Sequence, residues 1–366
     1  MVDASVVDFR LNIHAETPDW WSPSSFNRLH ACAYRFALSS DLDIHNKFAR
    51  PNTFAALGTA AHRLTERAWL NEFATTEDKD LASILLVAWN EEVEIQFRKM
   101  QVAWTPALVP PPSDWPYFYI NKNRSIKRIA GEIIDSRNRG EHRQNFDRPW
   151  VEHEIFDEEF HLKGTPDRVI FFDDSFVIQD LKTGFKVNEM TESHRRQLLL
   201  YAHLVRSDTQ KSPERIEVIK SDGQILEENI SDMDVNECLQ DFKNITGKYS
   251  DVVNLGSINS PMATPSPDLC GHCHYRSVCE PFWSDSKSDW GTTRGVVGRV
   301  VRVGNSTTLT IEQKYPIDGA GGMIGVSNVH HLASVGDMIS IVNAYQQGSS
   351  LRGRWNTLST ILEQPV

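Results

Sequence analysis

The chain has 366 residues, 40% of them hydrophobic and 24% charged, the proportions of a soluble globular protein of about two domains. A formal net charge of -11 argues against indiscriminate binding to nucleic acid, and the lack of any run of eighteen apolar residues excludes a membrane-spanning helix. The first residues, MVDASVVDFRLN, have neither a basic start nor an apolar core, so no signal peptide is expected. The five cysteines then predict a reducing, cytoplasmic setting, where clustered thiols are metal ligands more often than disulfides.

In chain order, residues 1–19 read as an N-terminal segment, followed by "SPSSFNRLHACAYRF" with Cys32. Apolar spacing between residues 55 and 100 predicts helices in "AALGTAAHRLTERAWL" and "LASILLVAWNEEVEIQF". The proline-rich "ALVPPPSDWP" (107–116) is a loop. Residues 121–148 carry eight basic against four acidic side chains, either a solvated helix face or a nucleic-acid track. Residues 150–182 are β-rich, helix returns at "HRRQLLLYAHLVR" (194–206), and "SINSPMATPSPD" (257–268) is a linker. After the polar "SDSKSDWGTTRG" (284–295), five short strands with glycine-rich turns predict a small closed barrel, OB-like in size. That segment has six basic and four acidic residues from 291 onward.

The stretch "GTPDRVIFFDDSFVIQDLKTG" (164–184) carries the chemistry. If its hairpin turns at Asp173 and Asp174, Asp167 comes level with Asp180. Asp180 and Lys182, two apart on a strand, share a face. Two carboxylates so placed repel unless a cation lies between them, and oxygen ligands suit Mg²⁺ or Mn²⁺. Lys182 is then placed to steer a water or to stabilise charge on a phosphate oxygen. The bland alternative is a surface hairpin with one salt bridge.

Flanking motifs extend this. "GTAAHRLTE" sets Gly58, His62 and Glu66 on one helix face, with His62 a candidate metal ligand or an exposed histidine. "HRRQLLLYA" places Gln197 and Tyr201 one turn apart, facing the hairpin or merely bordering a leucine core. "CGHCHYRSVC" arrays Cys270, Cys273 and Cys279 as C-x2-C-x5-C. With the distant Cys32, four thiolates suffice for zinc or an iron–sulfur cluster. His272 and His274 compete as ligands, and Cys238 in "VNECLQD" is the expected spare.

Taken in order, "SPSSFNRLHACAYRF", "GTAAHRLTE", "GTPDRV", "IQDLKTG", "QLLLY" and "CGHCHYRSVC" resemble the PD-(D/E)xK nucleases of the RecB-like branch. The likeness is strongest to its iron–sulfur exonucleases, such as the CRISPR-associated ones and the AddB nuclease domain. The resemblance implies an α/β, restriction-endonuclease-like fold, a mixed central sheet flanked by helices, over residues 20–285, with the OB-like barrel at 291–366 added. It implies that Asp167 and Asp180 ligate Mg²⁺ or Mn²⁺, with His62 a third ligand and the Leu181 carbonyl a fourth. Lys182 would position the attacking water, supported by Gln197 and Tyr201. Cys32, Cys270, Cys273 and Cys279 would bind a [4Fe–4S] cluster, with zinc the alternative. An acid on the preceding strand, Glu152 or Glu154, would assist.

The expected activity is thus a metal-dependent deoxyribonuclease, an exonuclease on single-stranded DNA ends, in repair, recombination or antiviral defence. The alternative is an inactive DNA-binding or scaffold subunit. No G-x4-GK[ST] motif is present, so any unwinding would fall to a helicase or other partner protein. In the barrel, Arg294, Arg299, Arg302, Arg352, Arg354 and Trp355 would bind a single strand, or the barrel would dock a protein.

Overall fold

The computed structural model describes residues 9, 11–103, 109–139, 149–184, 188–286, 290, 295–316, 320–353 and 357–362. It is a mixed α/β protein, and among the described residues no helix is long and apolar enough to cross a membrane. The chain divides into two compact units. One comprises Pro18–Asn27 and Pro51–Gly247, the other Met1–Thr17, Arg28–Arg50 and Lys248–Val366.

Helices α1 (Pro23–Ala31), α2 (Ala33–Ser40) and α3 (Leu42–Phe48) open the described chain. Side chains start the helices in turn: Cys32 Sγ accepts from the Arg35 amide at 3.4 Å and Asp41 Oδ1 from the Ile44 amide at 2.9 Å. Asn52 Oδ1 likewise caps α4 (Thr53–Trp69) by accepting from the Ala55 amide at 3.1 Å. The two periodic stretches form α4 and α5 (Asp78–Ala103), and α6 (Phe118–Arg139) follows a short 3-10 turn in the proline-rich loop. These three helices share a core with Trp89 at its centre, packed among Leu57, Leu64, Leu85, Trp115 and Ile129. Each such fully buried aliphatic side chain contributes about 1.5–3 kcal/mol.

Then come β1 (Trp150–Val151), β2 (Ile155–Asp157), β3 (Leu162–Gly164), β4 (Arg168–Phe171) and β5 (Ser175–Lys182). Helix α7 (Glu192–Thr209) leads to β6 (Ser212–Lys220) and β7 (Ile225–Asn229). The five-stranded sheet runs β1-β4-β5-β6-β7. Its β4–β5 pair is the antiparallel hairpin expected at Asp173–Asp174, with Arg168 opposite Gln179. The β5–β6 pair is parallel, which requires the crossover that α7 supplies. β5 therefore lies mid-sheet, and residues 176–181 are buried on both faces. Strands β2 and β3 pair separately.

Helix α8 (Asp232–Asn254) precedes α9 (Pro267–Gly271) and α10 (Glu280–Asp285). Among its described residues the C-terminal segment holds seven strands, not five: β8 (Gly295–Asn305), β9 (Thr308–Tyr315), β10 (Met323–Ser327), β11 (Met338–Val342), β12 (Tyr345–Gln347), β13 (Ser350–Arg352) and β14 (Leu358–Leu362). Asn343, at φ 65°, breaks "DMISIVNAYQ" into β11 and β12, and β13 follows as an unexpected short strand. The order β12-β13-β10-β9-β8-β11-β14 has two ends that do not pair, so the described residues form no closed barrel. This sheet shares its unit with Tyr34, Leu38, Phe48, Phe282 and Trp283, which form one core with Val297, Met338 and Leu358.

Candidate active site

The hairpin brings together the residues its spacing promised. Arg168 faces Gln179, so the preceding residue, Asp167, comes level with Asp180. Asp167 Oδ2 accepts a hydrogen bond from the Leu181 amide at 2.7 Å, so Leu181 reaches the site through its N–H. Lys182 Nζ lies 2.8 Å from Asp180 Oδ2, an oxygen with no further hydrogen-bond partner. From α7, Gln197 bridges the pair: its Oε1 accepts from Lys182 Nζ at 3.2 Å and its Nε2 donates to Asp180 Oδ1 at 3.3 Å. One turn on, Tyr201 is buried, hydrogen-bonds Gln197 and lies against Gly164. A Cβ on Gly164 would fall 2.7 Å from Tyr201 Cε1, so only glycine admits this ring.

Helix α4 supplies His62, whose Nδ1 is 3.2 Å from Asp167 Oδ2. The helix comes close because Gly58 has no side chain: a Cβ there would sit 3.1 Å from Thr183 Oγ1. The glycine thus serves a close approach.

Of the two candidate glutamates, Glu152 joins the site and Glu154 is exposed. Were β1 to continue, both would share a face. Instead Glu152 takes a left-handed φ of 49°, which ends the strand, and its amide donates to the Asp167 carbonyl at 3.2 Å. His62, Glu152 and Asp167 bring ligand atoms within 4.8 Å of one another, the only such trio among the described residues. Asp180 stands outside the trio, turned to Lys182 and Gln197.

The electrostatics show a deficit of positive charge. Burial pushes the Asp180 carboxyl above the usual carboxylate range against the pull of Lys182, and the Asp167 charge adds to the rise. Burial also opposes ionisation of Asp167, but the His62 hydrogen bond and the Leu181 amide outweigh it and hold its pKa low. Glu152 is raised to about 7 by burial and then by the charges of Asp167 and Glu66. Burial disfavours charged His62, yet Asp167 outweighs burial and raises its pKa. Three acids thus converge on one imidazole and one ammonium, and their oxygen and nitrogen donors suit a hard divalent cation.

In the other unit, Cys32, Cys270, Cys273 and Cys279 line one cavity with Tyr34 and Leu38 among its walls. No three of their sulfurs lie within 4.8 Å of one another, since that trio of His62, Glu152 and Asp167 is alone among the described residues. Four thiols lining one cavity suit either a zinc ion or an iron–sulfur cluster. Burial raises the thiol pKa of Cys270, of Cys273 to about 11, and of Cys279. His272 and His274 do not line this cavity, and Cys238 lies elsewhere, its Sγ 3.7 Å from the Arg196 carbonyl. Sequence reasoning overlooked Arg276, which is buried and donates to the Cys270 and Gly271 carbonyls at 2.5 and 2.7 Å and to Asn343. It holds the cysteine loop in shape, and its only signal was an arginine inside an otherwise buried run.

Some cations of the basic stretch from 121 to 148 are held by partners within the fold, while Arg124 and Lys127 are exposed. Arg128 is buried against Thr65 and Glu132, Arg137 pairs with Asp78 and caps the Phe73 and Ala74 carbonyls, and Arg124 donates to Ser221. Arg143 and Arg148 lie outside the described residues. So do Arg294, Arg354 and Trp355, whereas Arg302 and Arg352 are exposed and Arg299 donates to the Gly336 carbonyl at 3.0 Å.

Comparison with known proteins adds to this geometry. Residues 20–280 match the model of the family described as the PD-(D/E)XK nuclease superfamily. No curated protein matches the chain. A crystal structure of a provisionally named exonuclease from Eubacterium rectale is 12% identical, with a TM-score of 0.36 over 66% of this chain and 83% of that one. A crystal structure of the protein SSO0001 is 18% identical, with a TM-score of 0.23 over 48% of this chain and 83% of that one.

Proposed function

Because the chain belongs to the PD-(D/E)XK nuclease superfamily, we propose that its β4–β5 hairpin hydrolyses phosphodiester bonds in DNA with a divalent metal. The observation that carries this reading is the convergence of Asp167, Asp180 and Lys182 with His62 and Glu152 on one end of a buried central strand. Asp167, Asp180 and His62 would hold Mg²⁺ or Mn²⁺, with Glu152, whose ligand atom lies within 4.8 Å of those of His62 and Asp167, and the Leu181 carbonyl as further candidate ligands. When bound, such an ion supplies a water of lowered pKa and neutralises charge on the phosphate.

The chain's own side chains do the rest. Lys182 sets its ammonium against the phosphate oxygen where charge develops, a role worth about 10²–10³ in rate for a single preorganised donor. Gln197 holds both Lys182 and Asp180, so it fixes the distance between cation and acid. Tyr201, seated on Gly164, fixes Gln197. In-line attack then leaves a 5′-phosphate and a 3′-hydroxyl.

The nuclease occupies residues 20–285 and acts as an exonuclease on single-stranded ends, in repair, recombination or defence, in the cytoplasm and alongside a helicase or other protein partner. Cys32, Cys270, Cys273 and Cys279 hold a [4Fe–4S] cluster of structural role, a reading supported by the one cavity that all four line. Residues 291–366 form an accessory module that binds the single strand through Arg302 and Arg352.

The test is cleavage of oligonucleotides labelled separately at the 5′ and 3′ ends, as DNA and RNA, single and double stranded, with Mg²⁺ or Mn²⁺. Mononucleotide release from one labelled end of single-stranded DNA is expected. Cutting of RNA alone, or none at all with either metal, would sink the reading.

A further inference from the structure

Helix α4 carries more than His62 on its open face. Phe54, Gly58 and His62 are spaced by four, so they lie along one stripe, and Phe54 is 52% exposed. Eight residues at 1.5 Å each put it about 12 Å from His62 along the axis, which spans about three to four steps of a stacked strand at 3.4 Å. Beside Phe54, at a centroid distance of 5.7 Å, lies the ring of Tyr117, 51% exposed. Tyr119, 58% exposed, follows at the start of α6 and meets Phe118 edge-on at 5.1 Å. Lys122 Nζ sits over both rings, 5.1 Å from Tyr119 and 5.8 Å from Phe118.

An open aromatic face of this kind is unusual for a surface, and its backbone is costly. Tyr117 adopts φ 64°, a left-handed conformation that a bulky side chain rarely takes. Its carbonyl is pinned by the backbone amide of Asn121 at 2.9 Å and by the Asn121 side chain at 3.2 Å. Below it, Trp115 is buried and donates its Nε1–H to the Pro110 carbonyl at 2.8 Å. The fold thus holds a strained turn that presents Tyr117 outward beside Phe54.

We propose that Phe54, Tyr117 and Tyr119, with Lys122, form a platform on which unpaired bases of a single-stranded nucleic acid stack while its backbone runs along α4 toward Asp167 and Lys182. This inference rests on the nuclease reading for the identity of its ligand. Rings alone would suit many apolar partners. A ring pair about two turns along the same helix face from His62, with a cation over the adjoining rings, suits a chain of stacked bases joined by phosphates. Paired bases cannot offer their faces, so the platform selects single strands.

The experiment is fluorescence anisotropy of a fluorescein-labelled oligothymidylate with the full chain in EDTA, where no cutting occurs. Phe54→Ala with Tyr119→Ala is expected to weaken binding about a hundredfold, roughly tenfold for each ring. The slope of log affinity against log salt stays unchanged, because no charge is lost, whereas Lys122→Gln lowers it by about 0.7. Phe54→Trp and Tyr119→Phe keep wild-type affinity, which separates the loss of a ring face from a loss of folding. A blunt duplex shows less than about a threefold change in the double alanine variant. Unchanged affinity for the single strand, equal losses on the duplex, or no binding by the wild type overturns the platform. Because this readout needs no catalysis, a wild type that cuts but whose binding ignores the variants overturns the platform alone. A wild type that never cuts, but whose binding falls in the variants, overturns the nuclease reading alone.

Discussion

The acid–lysine site and the cysteine cavity solve opposite problems. In the first, charges are brought together on a buried strand and left short of compensation: Asp180 is raised, Glu152 sits near 7, and one ammonium and one imidazole serve all the acids. In the second, four cysteines line an apolar cavity, and burial raises the thiol pKa of Cys270, Cys273 and Cys279. The first is preorganised by local geometry, a hairpin plus two helices. The second joins residue 32 to residues 270–279 across a long stretch of chain. Local pairing stores electrostatic strain that a cation relieves, while a long-range clasp stores loop entropy that a bound group recovers.

The largest effect should come from removing the acids. Asp180→Ala is expected to lower metal-dependent cleavage by about a thousandfold or more and to abolish Mn²⁺ binding in calorimetry, with Asp167→Ala alike. Glu152→Gln should cost about ten- to hundredfold, as for a supporting ligand, and the exposed Glu154→Gln about twofold at most. If Glu154→Gln is the more damaging, the placement of Glu152 is wrong.

Next, under the cluster proposal the wild type should show visible absorbance and bound iron by elemental analysis, and Cys32→Ser should remove both. It should also lower stability by several kcal/mol, because bound metal counts as folding free energy. Stoichiometric zinc and no colour in the wild type would contradict the iron–sulfur proposal. Gly164→Ala tests the contact beneath Gln197. Its new methyl meets Tyr201 Cε1 at 2.7 Å, so a cost of about 1–3 kcal/mol is expected in urea unfolding, together with slower cleavage as Tyr201 and Gln197 shift. Gly58→Ala, with 3.1 Å to the end of a Thr183 side chain, should cost less.

The smallest effect concerns pH. His203 is buried against Asp157 at 2.8 Å, yet burial outweighs that carboxylate and lowers its pKa. A histidine whose folded pKa lies below the unfolded value adds nothing above about pH 6.5. Below it, the unfolded chain binds the proton first and stability is lost, at most about 1.4 kcal/mol per pH unit for this group. Urea midpoints at pH 7.5 and 5.5 should therefore converge more in His203→Gln than in wild type; an unchanged gap would reject the assignment.

Much of the acid–lysine site was legible because its geometry is local. A hairpin fixes cross-strand levels from its turn alone, so Asp167 and Asp180 could be aligned from Asp173 and Asp174. Four-residue helix steps did the same for Gly58 and His62, and for Gln197 and Tyr201. What escaped depends on backbone choices that spacing does not encode. The left-handed φ at Glu152 decides which glutamate enters, and that at Asn343 splits one expected strand into two. The C-terminal segment read as five strands because β12 and β13 are only three residues long each. Composition left the basic stretch open between a solvated face and a nucleic-acid track because it cannot show that Arg128 and Arg137 pair with Glu132 and Asp78.

The most direct test of the account is Lys182→Ala, assayed for Mn²⁺ binding by calorimetry and for cleavage of labelled single-stranded DNA in the same preparation. The account predicts that the variant binds Mn²⁺ at least as tightly as wild type, since a neighbouring cation is gone, yet cuts at least about a hundredfold more slowly. A variant that cuts at the wild-type rate would contradict the role of Lys182 and, with it, the reading of the hairpin as a catalytic site.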